Sequence, residues 1–114
     1  MKRKLLTALA AIFCSGTIAH THDFSKREIL VYSEISSHAF KLTNRNLFSA
    51  DFEVFINDKK IGNVKDVQPN EGVVITLDLE TKPNTIEKKL ICTLMKADIP
   101  NVTQVCSTII LTRL

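Results

Sequence analysis

From Glu28 to the end of the chain, apolar and polar residues alternate with a period of two, and no segment holds the 3.6-residue period of an amphipathic helix. Ile29, Val31 and Ile35 fall on one face of a first strand, with Tyr32 on the other. Phe40 and Leu42 alternate with Lys41 and Thr43. Phe52, Val54 and Ile56 alternate with Asp51, Glu53 and Phe55. Asn57 to Lys60 turns the chain, and Ile61 to Val64 begins a return. Pro69-Asn70-Glu71-Gly72 reads as a type I turn, with Pro presetting φ. Val73, Ile75, Leu77 and Leu79 follow in clean alternation, and Lys82-Pro83-Asn84 breaks the chain again. Two last strands run from about Ile86 to Lys96 and from about Thr103 to Arg113.

About seven short strands separated by polar turns imply an all-β domain, an antiparallel sandwich or small barrel. A length of 114 residues holds one domain and excludes a (β/α)₈ barrel or a dinucleotide-binding fold. With the leader described below removed, a chain of ~95 residues buries somewhat over 60% of its unfolded surface, enough for one thin core between two sheets.

Ahead of the strands, residues 1–19 have the layout of a cleaved signal peptide. Lys2, Arg3 and Lys4 precede a mostly apolar run from Leu5 to Ile18, and Thr17 and Ala19 supply the small residues of a cut after Ala19. Ser15, Gly16 and Thr17 interrupt the run, which is too short for a membrane-spanning helix. Phe13 before Cys14 does not suit lipoprotein processing. Residues 20–27 are expected to be a flexible lead-in and 28–114 the folded domain. The leader carries three of the 15 Lys+Arg, so removing it leaves 12 against 12 Asp+Glu, a net charge of zero. The basic pI therefore belongs to the precursor and is no nucleic-acid footprint. The expected location is periplasmic or extracellular, with no stable membrane insertion after cleavage.

Export also decides the sulfur chemistry. Cys92 and Cys106 survive the cut, and an even pair in an oxidising compartment makes a disulfide the default. A hairpin folded about residue 99 sets Cys92 opposite Cys106, Leu90 opposite Thr108 and Leu94 opposite Gln104, close enough for a cross-strand bridge. An immunoglobulin domain proper bridges two sheets around a buried Trp. This chain has no Trp and its sole Tyr lies in the first strand, so it resembles the broad immunoglobulin/fibronectin class in architecture alone.

Candidate chemistry is sparse. A cut after Ala19 makes His20 the first residue and His22 the third. The terminal amine, the intervening amides and the third-position imidazole then form a square-planar set for Cu(II) or Ni(II), or His20 chelates through amine and ring. At His20 the chain resembles small exported copper-carrier sandwiches, but it lacks a late Asp-x-His pair. Ser36-Ser37-His38 brings nucleophile and base types together, yet adjacent strand residues point to opposite faces, and no G-x-S-x-G elbow occurs. Asp78 and Glu80 share one solvated strand face, and the glycines are isolated. No enzyme and no cofactor are expected, copper being the alternative. Asn101-Val102-Thr103 fits the glycosylation acceptor pattern.

What remains is binding chemistry. Phe55 beside Val54 and Ile56, Val73-Val74-Ile75, and Ile109-Ile110-Leu111 give strands two apolar faces where a two-layer fold needs one. Phe55, Val74, Ile109 and Leu111 are therefore the expected partner-binding residues. The function read from the sequence is an exported, non-catalytic sandwich that binds another protein, by edge-strand addition if an edge is free, as a component or assembly accessory of a cell-envelope or surface complex.

Overall fold

A computed structural model describes residues 20–96 and 103–114; the expected leader with Cys14, the turn expected at residues 98–101 and the expected acceptor Asn101 lie outside them. Eight strands are described: β1 (His20–His22), β2 (Lys26–Val31), β3 (Ile35–Asn44), β4 (Ala50–Ile56), β5 (Lys59–Val67), β6 (Gly72–Glu80), β7 (Thr85–Lys96) and β8 (Gln104–Arg113). They form two sheets, one of order β1-β3-β6 and one of order β2-β8-β7-β4-β5.

The alternation predicted from the sequence decides which residues meet between the sheets. Phe40, Leu42, Leu77 and Leu79 from the smaller sheet face Phe52, Val54, Ile91, Met95, Ile109 and Leu111 from the larger one, each no more than 3% exposed. Burying residues of this size contributes roughly 1.5–3 kcal/mol each.

Three expectations about the strands are corrected. Residues 20–27 are not a loose lead-in: β1 pairs antiparallel with β3, the chain crosses at residues 23–25, and β2 pairs with β8. The pairing of β2 with β8 is parallel, so the larger sheet is mixed rather than antiparallel. The single first strand expected through Tyr32 is two strands, broken at Tyr32–Glu34 where the chain passes from one sheet to the other.

The turns follow side-chain chemistry. Asn57 (φ 50°) and Asp58 (φ 68°) make the two-residue β4–β5 hairpin, a left-handed pair that matches strand twist. Asn70 takes φ 62° while the Glu71 N–H bonds the Gln68 carbonyl at 3.0 Å. The turn is therefore type II, with Asn tolerating the left-handed position, rather than type I. Asn44 is fully buried and satisfied. Its amide N–H groups reach the carbonyls of Phe48 and Val67, and its carbonyl oxygen accepts from Asn46, pinning the β3–β4 loop to the end of β5.

Cys92 and Cys106 face each other in the β7–β8 ladder and are bonded, with Cα atoms 4.1 Å apart; Leu90 opposes Thr108 and Leu94 opposes Gln104. The register inferred from the midpoint of the cysteine spacing is the register observed.

Candidate functional site

A strand of three residues has little stability of its own, so β1 is held by what its side chains reach. His20 and His22, two apart on a strand, point to the same side, into the seam between the sheets. His20 is fully buried, its ring 4.7 Å from that of Phe52. His22 meets the edge of Phe40 at 4.8 Å. Beside them opens a cleft of about 510 Å³ lined by both histidines, Phe24, Val105, Cys106 and Ser107 among others.

The polar atoms of this seam form one chain. His20 Nε2 lies 2.8 Å from Thr93 Oγ1 and 3.3 Å from the Thr93 carbonyl, and His22 Nε2 lies 2.7 Å from the same hydroxyl. His22 Nδ1 is 2.8 Å from Ser107 Oγ, which donates to the Phe24 carbonyl at 2.7 Å. Two carbonyls, which can only accept, fix the protons. Ser107 gives its one hydrogen to Phe24, so His22 Nδ1–H must donate to Ser107. His22 Nε2 is then bare and accepts from Thr93 O–H. His20 Nε2–H donates to the Thr93 carbonyl and hydroxyl.

This polarity requires neutral rings, and burial supplies them. It lowers the His20 pKa, and it carries His22 down to about 4 with help from the neighbouring His20. One atom is left over: His20 Nδ1 is a buried lone pair with no hydrogen-bond partner.

As metal ligands the two histidines differ. Both nitrogens of His22 are engaged, and the ladder pairs Thr21 with Thr43 and His22 with Leu42. A chelate wrapped through the amides would have to pull β1 out of the sheet. Only His20 Nδ1 is free to bind. Among the described residues no group of three or more His, Cys, Asp or Glu is placed to hold a metal ion.

Ser36 and His38, not Ser37 and His38, share a strand face, with Oγ to Nε2 at 2.6 Å. The His38 pKa is lowered by burial and by the Arg27 guanidinium, the opposite of the carboxylate that holds a catalytic imidazolium.

The expected partner-binding residues separate. Ile109 and Leu111 are 0% exposed and belong to the core, so they cannot meet a partner. The outward residue of that run is Ile110, one position away, where the opposite face begins. Phe55 is half-buried on the outer face of the five-stranded sheet, and Val74, 68% exposed, stands on the outer face of the other sheet.

The ladder register shows what surrounds Phe55. Phe55, Cys92 and Cys106 form one row; Leu90 and Thr108, then Lys88 and Ile110, then Ile86, Thr112 and Leu30 form the next rows on the same face. Ile86 and Leu30 are exposed and Leu90, Leu94 and Ile110 are half-buried. Among the described residues no third layer covers this apolar stripe. Thr93, Ser107 and Phe24 were not marked by the sequence as site residues. The available signal was a hydroxyl residue, Thr93, between Ile91 and Met95 on the inward phase of β7.

No protein-family model matches the chain, and no curated protein matches it. Solved structures do. The CARDB domain of a Pyrococcus furiosus protein superposes with a TM-score of 0.52 at 14% identity, over 82% of this chain and 94% of that domain. A lytic polysaccharide monooxygenase from Jonesia denitrificans gives 0.51 at 13% identity, over 79% of this chain and 60% of that one. At these identities the likeness is one of fold. The disulfide points to an oxidising, exported compartment. No helix of the described residues is long and apolar enough to cross a membrane.

Proposed function

We propose that this is an exported, non-catalytic sandwich of the immunoglobulin/fibronectin type that binds another protein within a cell-envelope or surface complex. The strand order supports the class: a first strand split between the sheets, antiparallel to β3 and then parallel to the last strand. The observation that carries the binding reading is the outer face of the five-stranded sheet, where Leu30, Phe55, Ile86, Leu90, Leu94 and Ile110 lie together on the side away from the core. A stripe of this kind rimmed by Lys26, Glu28, Glu53 and Lys88 has the anatomy of an interface, apolar within and charged around. The test is recovery of the protein with its partner from the native host. Leu90→Lys and Ile110→Lys should lose the partner and Val74→Lys should keep it; equal retention by all three would overturn the assignment of this face.

One atom favours a second reading, a copper carrier. The unpartnered Nδ1 of His20 is the ring nitrogen that a terminal histidine would use with its own amine, if the chain is cut after Ala19. Paramagnetic resonance of the processed protein with stoichiometric Cu(II) tests it. The nitrogen-coupled signal should vanish in His20→Ala and persist in His22→Ala, and a mature start at any other residue removes the site.

A further inference from the structure

The sequence treats the two long sheet edges in opposite ways. β5 closes the five-stranded sheet with Lys59, Lys60 and Lys65, two register shifts against β4 and a left-handed Asp66. Charges and bulges of this kind keep an edge from recruiting another strand. β6 closes the three-stranded sheet with nine residues in unbroken register with β3 and with no Pro, Lys or Arg among them. Bonds from the Asn44 N–H to the Glu71 carbonyl and from the Thr81 N–H to the Glu34 carbonyl set the phase of this ladder. Val73, Ile75, Leu77 and Leu79 therefore bond β3, while the N–H and C=O groups of Gly72, Val74, Thr76, Asp78 and Glu80 point away from it, along the free edge.

The occupant is indicated by the sequence of β6 itself. A second, antiparallel β6 centred on Thr76 sets Val74 opposite Asp78 and Gly72 opposite Glu80, so the whole strand pairs and no like charges face each other. A parallel copy would set Asp78 against Asp78. On the inner side the same register puts Ile75 opposite Leu77 and Val73 opposite Leu79, which continues the apolar face that β6 already presents to the core.

Lys41 supplies the charge complement. It stands opposite Val74 on β3, and its stem crosses Gly72: a Cβ at Gly72 would lie 2.7 Å from Lys41 Cδ. Gly72 has no positive φ, so the need for glycine there is space and not conformation. The lysine is thereby aimed over the edge, toward the place where a second copy would carry Asp78 and Glu80. Among the described residues, Lys41, Asp78 and Glu80 take part in none of the ion pairs.

We propose that the chain self-associates through β6 as a twofold antiparallel dimer. The three-stranded sheets of two copies merge into one continuous sheet, and Lys41 of each copy pairs with the acidic end of β6 in the other. The contact lies on the sheet opposite the stripe assigned to the partner, so it leaves that face open and is tested separately.

Sedimentation of the purified, disulfide-intact protein across the micromolar to millimolar range should reveal a concentration-dependent dimer. Lys41→Glu should weaken it about tenfold or more, because two symmetry-related pairs change from attraction to repulsion. Glu80→Lys should do the same, and the double variant should regain dimerisation. Val74→Pro removes an outward N–H from the edge and should leave a folded monomer, as judged by its intact disulfide and its melting curve. A monomer at every concentration would overturn the proposal. So would a dimer indifferent to Lys41→Glu and Val74→Pro, or a double variant no better than either single one.

Discussion

Replacing Thr93 with Val removes one hydroxyl and keeps the shape, and the seam makes the cost of that exchange calculable. Thr93 Oγ1 accepts from His20 and donates to His22 at 2.8 and 2.7 Å. In the variant, His22 Nε2 becomes a second lone pair without a donor beside the bare His20 Nδ1. His20 Nε2–H keeps only the carbonyl contact at 3.3 Å. A buried polar group left unsatisfied costs about 1–3 kcal/mol, and the added methyl returns less than about 1 kcal/mol among apolar neighbours. The net loss is about 2 kcal/mol. For a domain of this size that lowers the melting temperature by roughly 8–16 °C. Thr108→Val, at a half-buried position on the outer face of β8, is the control and should change stability by less than about 0.5 kcal/mol. Thermal and urea unfolding at neutral pH, read by circular dichroism, compare the two. If Thr93→Val and Thr108→Val melt together, the hydroxyl does not bridge the histidines and the proton assignment fails.

Further perturbations probe other parts of the structure. Removing the disulfide by Cys92→Ala and Cys106→Ala frees a loop of about 15 residues and should cost about 3 kcal/mol in denaturant unfolding, with the native circular dichroism retained. Ile109→Asp buries an unpaired carboxylate in the core and should prevent folding, whereas Ile110→Asp should leave a folded protein; identical yields of folded material would mean the face assignment of β8 is wrong. The Glu87 carboxyl is held down at about 2 by the Lys82 N–H first, then by Lys89 and Thr85. A depressed carboxylate pKa contributes stability that is complete above its ordinary value of 4.5 and is lost as pH falls toward 2. Acid titration of Glu87→Gln against the parent should therefore show their difference in stability shrinking across that interval, and a difference independent of pH would contradict the carboxylate's role.

The strands were legible because nearly every one carries a half-buried face, and a period of two survives wherever one face is wet. The cysteine register was legible for a different reason: a hairpin has a single midpoint, and symmetry about residue 99 names the opposed pair. Pairing between distant segments was not legible. Nothing local in Lys26–Val31 announces that β8 is its neighbour or that the pairing is parallel. The faces of Ile109, Ile110 and Leu111 could not be separated because all three are apolar, and a one-residue choice of phase decides which meets the core. The two histidines drew notice only as terminal residues. Their role in the seam depends on Thr93 and Ser107, which lie 71 and 85 residues away from His22 along the chain, and a strand of three residues is too short to show a period.

Long-range nitrogen–proton NMR correlation of the histidine side chains reads the polarity of that seam directly. At neutral pH, His22 should carry its proton on Nδ1 and His20 on Nε2, each as a single neutral tautomer. The reverse assignment, or averaged signals of freely titrating rings, would mean that β1 does not close the sandwich as described.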